Sequence, residues 1–341
     1  MRYSHRFFLY APVAAIAVLA AAVAAYWFVS ADAFSKRLEA LNGREVAPGV
    51  RFHYASKTIG GFPFRVDAEL EDVRVALATA HGPAEWRSEH FALHMLDYGR
   101  LQVIFEAAGK QVVTWHDKTG APHGLEFVPA LLRASSISGS AGLERFDAQL
   151  YGASAAAPGV AHTELHLRRD PDQNAIDVAF MADDLHLTQE LATTLGDVIS
   201  KFRLSGTLAP AEDWNALLSG QSDWRKAAEG WRAHSGAFEI AQMEIAWGKT
   251  DASGSGLLTL DEARRPKGLI RLKIAGYQAL ADEAKRRGLV KGAQEGVFAA
   301  LMAESAAAGK DPAGRLPVTL AFKDGLAYVG ETPAGFLAPL Y

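Results

Sequence analysis

The run FRVDAELEDVRVAL, Phe64 to Leu77, changes character at almost every residue. Phe64, Val66, Ala68 and Leu70 are apolar, while Arg65, Asp67 and Glu69 between them are charged. A period of two is the mark of a strand with one face in a core and the other in water. After Glu71 and Asp72 the apolar set moves to the other parity, as Val73, Val75 and Leu77. Such a one-residue phase shift predicts either a β-bulge or a tight reversal at this point.

Working outward, the same alternation recurs in both directions. Upstream, Val50 to Tyr54 reads as a short strand ended by Gly60-Gly61, and Ser35 to Leu41 as a helix stopping near Asn42-Gly43. Downstream, Phe91–Met95, Leu101–Phe105 and Gln111–Trp115 are strands separated by turn residues at 97–99 and 109–110, the pattern of an antiparallel meander. Phe146/Ala148/Leu150, Thr163/Leu165/Leu167 and Ile176/Val178/Phe180 continue it, with a small-residue loop from Gly152 to Gly159. Helical spacing predicts helices over Thr188–Lys201 and Glu212–His234, the latter opened by Pro210 and interrupted at Gly220. Strands return at Phe238/Ile240, then at Met243/Ile245/Trp247 after a second parity switch. Leu258/Leu260 and Ile270/Leu272/Ile274 follow, then helices over Tyr277–Arg287 and Gln294–Ala308. Val318/Leu320/Phe322 and Leu326/Tyr328 flank an Asp324-Gly325 hairpin turn. The fold class is α+β, mainly antiparallel β: a curved sheet or open, barrel-like meander with a few packed helices.

One segment lies outside this pattern. Phe7 to Val29, FFLYAPVAAIAVLAAAVAAYWFV, carries no charge and is long enough to cross a bilayer. Arg2 and Arg6 precede it and no basic residue follows until Lys36, so the positive-inside rule predicts a cytoplasmic N-terminus and an exported body. Tyr26 and Trp27 stand where an interfacial aromatic belt would hold a retained helix, although Ala20 to Ala25 also offers signal-peptidase-like sites. The expected organisation is an anchor over residues 1–30 and a periplasmic β-rich domain over 31–341. That domain divides into halves at about 44–187 and 236–341 if the helical insertion separates them. The expected location is the bacterial inner membrane, single-pass, with residues 7–29 as the membrane contact.

Composition narrows the function classes. Apolar residues make up 49% of the 341, enough for a folded core. A net charge of -4 argues against a nucleic-acid partner. With no cysteine there are no disulfides, thiolate metal sites or cysteine nucleophiles. G-x-S-x-G, P-loop and G-x-G-x-x-G motifs are absent; Gly254-Ser255-Gly256 lacks the third glycine and sits before a strand rather than a helix.

The metal candidates are His162, Glu164 and His166, which share one face if their segment is a strand. Zinc there needs a further ligand from elsewhere, and a solvated polar face opposite Thr163, Leu165 and Leu167 explains the same residues. His90 and His94 also share a strand face. Carboxylate pairs such as Glu71-Asp72 and Asp183-Asp184 fit turns, and Ser135 to Ser140 reads as a polar loop. Trp214, Trp224 and Trp231 lie along one helical side, as core against a sheet or as a ligand platform. In Gly60-Gly61-Phe62-Pro63-Phe64-Arg65, Phe62 and Phe64 either plug one sheet face from a locking turn or form an aromatic-basic lip that touches lipid or a partner.

The anchor, the G-F-P-F-R signature at Gly61 to Arg65 and the β-rich body together resemble the uncharacterised bacterial family known as domain of unknown function 2125. Leu316-Pro317-Val318 to Asp324-Gly325, Gly330, Pro333 and Pro339-Leu340 resemble that family's tail. The strand-turn-strand style of Gly256–Asp261 to Pro266–Ile274 also resembles AsmA-type envelope proteins, which are longer. The resemblance implies an envelope location and a lipid theme, with no catalytic residues. The function expected is therefore a non-enzymatic, membrane-anchored envelope protein that binds a lipid-like ligand or scaffolds a complex, with no cofactor. Phe62, Phe64, Arg65, Trp214, Trp224 and Trp231 are its candidate contacts. A periplasmic metal-dependent hydrolase built on His162, Glu164 and His166 is the alternative.

Overall fold

The computed structural model describes residues 5–79, 82–96, 101–117, 119–139, 142–153, 159–187, 193, 195–286 and 315–341. It begins with one long helix, α1 (His5–Leu41), which contains Pro12. Val13, Ile16, Val18 and Leu19 stand exposed on its first half. On its second half Trp27, Ala31 and Leu38 are buried, with Phe34 partly so. These four fall on one helical stripe, and that stripe faces the sheet. The apolar part of the helix satisfies the length and hydropathy of a membrane span.

Strands follow in chain order: β1 (Arg44–Ala47), β2 (Val50–His53), β3 (Ser56–Gly60), β4 (Arg65–Thr79), β5 (Gly82–Leu96) and β6 (Leu101–His116). Next come β7 (Pro122–Phe127), β8 (Leu131–Gly139), β9 (Gly142–Ala153), β10 (Gly159–Asp170), β11 (Ala175–His186) and β12 (Val198–Ala209). Two helices, α2 (Glu212–Leu218) and α3 (Trp224–Ala233), precede β13 (Ala237–Trp247), β14 (Thr250–Leu260) and β15 (Pro266–Ala275). Helix α4 (Tyr277–Arg286) and strands β16 (Leu316–Lys323), β17 (Leu326–Val329) and β18 (Thr332–Phe336) complete the described chain.

All the strands among the described residues belong to one antiparallel sheet of 18. Pairing follows the sequence almost strictly. β2 and β3 lie end to end on one edge of β4, and β7 and β8 on one edge of β6. β8 then pairs with β9 and β9 with β10, and each strand from there to β18 pairs with the next. The sheet is an open curved meander, as the alternation predicts.

The phase shift at Asp72 is resolved as a kink within a continuous strand. Asp72 adopts a left-handed φ of 49°, and the β4–β5 register passes through it unbroken, Glu71 opposite His90 and Val73 opposite Ser88. Ala68, Leu70 and Val73 therefore enter one core despite their odd spacing. The slip appears one strand on, between Ser88 and His90 against β6. A fully buried Gln111 holds it, with Nε2 donating to Ser88 Oγ at 3.0 Å and to the Ala108 carbonyl at 3.1 Å. Trp86 Nε1 donates to Gln111 Oε1 at 3.1 Å. The second parity switch is a β-bulge in β13 between Ile240 and Met243.

Several local expectations are corrected. Instead of a helix over Thr188–Lys201, the chain from Val198 onward is strand β12, and residues 188–192 and 194 lie outside the described residues. Phe202 and Leu204 alternate with Lys201 and Arg203, so sheet pairing outweighs the helical spacing of the apolar residues. Ser135 to Gly139 is not a loop but part of β8. The break expected at Gly220 is present: the Glu212–His234 segment forms two helices with Gly220 at φ 73° between them. The helix expected over Gln294–Ala308, the turn at 97–99 and most of the loop after Gly152 lie outside the described residues.

Candidate functional site

Registering the strands against one another shows an arrangement that no single strand contains. Starting from β3, directly opposed residues run Ile59, Ala68, Leu93, Phe105, Ala134, Ala148 and Leu165. The row continues through Phe180, Leu204, Met243, Gly254, Leu272 and Val318 on β16. Opposed residues in antiparallel pairs share a sheet face, so this is one apolar row across the molecule. At 4.7–4.9 Å per strand it extends on the order of 60 Å along the sheet.

Flanking rows on the same face behave alike. One runs Val66, Met95, Val103, Ser136, Phe146, Leu167, Val178, Gly206, Ile240, Gly256, Ile270 and Leu320. The other runs Leu70, Phe91, Ala107, Leu132, Leu150, Thr163, Ala182, Phe202, Ile245, Ala252, Ile274 and Leu316. No position in the three rows carries a charge, and only Ser136 and Thr163 carry a hydroxyl.

Burial along these rows is uneven. Val66 and Ala68 are fully buried and Leu70 is 1% exposed, beneath a core that includes Leu38 of α1. At the other end Ile270, Leu272, Ile274 and Val318 are buried in a second core. Between them, from β8 to β12, every row member except Ala182 and Gly206 is only half-buried. An apolar surface that is continuous, uncharged and partly open can hold an acyl chain or another apolar molecule by burial alone.

Helices α2 and α3 span between distant strands. Trp231 Nε1 donates to the Ala209 carbonyl at the end of β12, and its ring meets Trp214 edge to face at 6.0 Å. On the other side Gly220 approaches Ala47 of β1. A cavity of about 720 Å³ lies between these helices and the sheet margin, lined by Val50, Leu77, Leu217, Trp224, Arg225 and Leu340. The three tryptophans thus do not act as a set. Trp214 and Trp231 are packed together, whereas Trp224 is 47% exposed and rests edge-on against Tyr341.

The opposite face of β9 to β12 is a ladder of charges. Arg145 donates to Asp147, and Asp147 Oδ1 lies 2.7 Å from His166 Nδ1. His166 Nε2 is 2.9 Å from one Glu164 oxygen, and His162 Nε2 is 2.8 Å from the other. His162 Nδ1 faces Asp183 at 3.4 Å, and Arg203 completes the chain on Asp183 at 2.6 Å. Tyr151 donates to Glu164 at 3.0 Å. The hydrogen bond to Asp147 raises the pKa of His166 above its ordinary value, against an opposing effect of burial. Glu164 is held low chiefly by His166, with His162 and Tyr151 adding to it. Burial pushes Asp147 up, but Arg145 and His166 together hold it low.

His162, Glu164 and His166 are thus brought together, but with the two Nε2 atoms on separate oxygens of one carboxylate. Among the described residues, the group whose ligand atoms all gather within 4.8 Å is a different one, Glu212, Asp213 and His234. His90 and His94 pair likewise with carboxylates, at 2.7 Å from Glu71 and 2.8 Å from Asp67.

Phe62 and Phe64 do not plug the sheet; they are 56% and 68% exposed. The turn that carries them is closed by Arg65 N donating to the Gly61 carbonyl at 3.2 Å. A side chain on Gly61, at φ 93°, would meet the Arg65 carbonyl at 2.6 Å, so this turn requires glycine. Trp27 Nε1 of α1 donates to the Arg65 carbonyl at 2.7 Å, and the Trp27 ring stands edge-on to Phe62 at 5.3 Å.

Comparison with known families gives one match, covering residues 27–337, to the family described as "Uncharacterized protein conserved in bacteria (DUF2125)". The chain belongs to this family. The match spans both the G-F-P-F-R turn and the strands of the apolar rows, so the DUF2125 region is the sheet together with the sheet-facing half of α1. No match emerges among the curated proteins or among solved structures.

The residues of the half-open rows, Ala134, Ala148, Leu165, Phe180 and Leu204, are the ones that sequence reasoning missed as a group. Alternation assigns each to a face of its own strand, but only register aligns them into a path.

Proposed function

We propose that this member of DUF2125 is a membrane-tethered, non-enzymatic envelope protein whose sheet binds a lipid-like molecule along its apolar face. The observation that carries this reading is the set of three uncharged rows, buried at both ends and half-open between β8 and β12. An acyl chain laid on such a surface gains about 0.8 kcal/mol for each methylene removed from water, with no polar group left unpaired. In this reading residues 1–30 are the anchor in the bacterial inner membrane, with a cytoplasmic N-terminus. Residues 31–341 form the periplasmic body, and α2–α3 is the insertion between its β-rich halves. Trp224 contributes at the cavity beside Leu77, while Trp214 and Trp231 support the helices that form one wall of it.

The hydrolase alternative has less support. It needs imidazole nitrogens free to take a metal, and each nitrogen of His162 and His166 already faces a carboxylate.

The test is lipid extraction and mass spectrometry of the intact chain purified from its host envelope, beside Leu165→Asp and Leu204→Asp variants. Bound lipid that falls at least several-fold in both variants, with circular dichroism unchanged, supports the reading. Equal lipid in all three proteins would show that the lipid belongs to the anchor helix alone, and the binding reading would be abandoned for scaffolding.

A further inference from the structure

Exposed aromatic side chains gather at one place on this molecule. Phe28 is 63% exposed, Phe62 56% and Phe64 68%. Phe28 and Phe62 lie with ring centroids 6.1 Å apart, and Trp27 meets both edge-on, at 5.1 and 5.3 Å. A protein surface in water rarely leaves such a cluster without a partner. This one is continuous with the exposed apolar girth of α1, where Val13, Ile16, Val18 and Leu19 are each more than three-fifths exposed.

The domain is also fixed to that helix without a free linker. Trp27, Ala31 and Leu38 are buried against the sheet. Lys57 Nζ of β3 donates to the Ser35 carbonyl at 2.7 Å and to Glu39 at 2.8 Å. Asn42, just past the helix end, brackets Tyr54 with two hydrogen bonds, at 3.0 and 3.1 Å. Wherever the apolar half of α1 sits, the Phe62–Arg65 turn is carried at a set height beside it.

We infer that Phe28, Phe62 and Phe64 form a lip embedded in the headgroup–acyl boundary of the leaflet from which α1 emerges. The partner of this surface is the lipid bilayer itself. The inference rests on the anchor reading above. Aromatic rings favour that depth because their apolar bodies leave water while the polar neighbours stay wet. Arg65 suits it too, its side chain 59% exposed beside the rings and paired with Asp67 at 2.8 Å. The consequence is a defined posture. The Arg65 end of β4 is held at the bilayer and the Thr79 end lies about 45 Å away along a 15-residue strand. Val66, the first member of its apolar row, shares a buried cluster with Trp27 and Ala31, so the sheet's apolar face begins at the membrane surface.

The absence of cysteine makes the test direct. Single-cysteine variants Phe62→Cys, Phe64→Cys, Val18→Cys and Leu257→Cys of the full chain are spin-labelled and reconstituted in phosphatidylcholine–phosphatidylglycerol nanodiscs. Collision with oxygen, which favours the bilayer, is compared with collision with a water-soluble nickel chelate. Labels at 62 and 64 are expected to favour oxygen several-fold over the label at 257, at a level between it and the mid-span label at 18. If 18 is lipid-exposed while 62 and 64 match 257, the lip is refuted and the anchor stands. If 18 also matches 257, the anchor reading falls and the lip with it. Positions 62 and 64 are both exposed and report independently, so either turn variant that folds decides the outcome.

Discussion

Strands β4 and β10 carry similar apolar patterns and meet different fates. Val66, Ala68 and Leu70 of β4 are sealed beneath α1 and neighbouring aromatics, whereas Thr163, Leu165 and Leu167 of β10 are left half-open. Local sequence is therefore a poor guide to which apolar strand is sealed and which is left half-open. What differs is the cover. Helix α1 lies against β3 and β4, and a second core with Tyr277 of α4 forms around β13 to β16. The polar faces are alike in kind: β10 presents a histidine–carboxylate ladder of seven linked side chains from Arg145 to Arg203, and β4 joins a shorter one, Arg65–Asp67–His94–Glu106–Arg133.

Leu70→Ala removes a fully buried side chain and is expected to cost about 3 kcal/mol, whereas Leu165→Ala is expected to cost about 1 kcal/mol. Urea denaturation of the two variants measures the gap, and equal losses would mean that both strands belong to a sealed core. Gln111→Ala opens the latch at the β5–β6 slip and strands Trp86 Nε1, while Ser88 Oγ keeps its bond to the His90 carbonyl. It is expected to cost about 2 kcal/mol, read as a lowered denaturation midpoint.

The ladder on β10 gives a pH signature. His166 has a raised pKa, so its contribution is complete below the ordinary imidazole value of about 6.5 and disappears as pH rises through the raised value. Asp147 and Glu164 are lowered, so theirs is complete above about 4 and disappears as pH falls. The melting-temperature difference between the native chain and His166→Gln is therefore expected to peak near pH 5–6 and to shrink on either side. A flat difference would show that the ladder is structurally idle. Smallest of all, Phe62→Ser is expected to change stability by less than about 0.5 kcal/mol, since an exposed ring is lost. A larger loss by thermal melting would assign Phe62 to packing against Trp27.

Much of the fold was legible because alternation is a local signal. Phe64 to Leu77 announced a half-buried strand with a phase shift, and the structure places the cause in the left-handed Asp72. Thr188 to Lys201 misled because Leu195, Val198 and Phe202 fall at helical spacing while their strand partners lie far away in sequence. Ser135 to Gly139 misled through polarity, since its serines stand on a strand of mixed faces. The candidate site was legible only in pieces. Leu165, Phe180 and the aromatics of G-F-P-F-R were visible as residues. The rows depend on register, and the exposure of Phe62 and Phe64 depends on α1 meeting the Gly61 turn. Neither is written in any one segment.

Photo-cross-linking reads directly whether the half-open stretch of the apolar face contacts lipid chains. A benzophenone side chain is placed at Leu165 or Phe180 on that face, or at Arg168 on the other, and the intact chain is irradiated in its own envelope. Lipid-sized mass adducts at 165 and 180 and none at 168 are the predicted result. Adducts absent from 165 and 180, or equal at all three positions, would contradict the account.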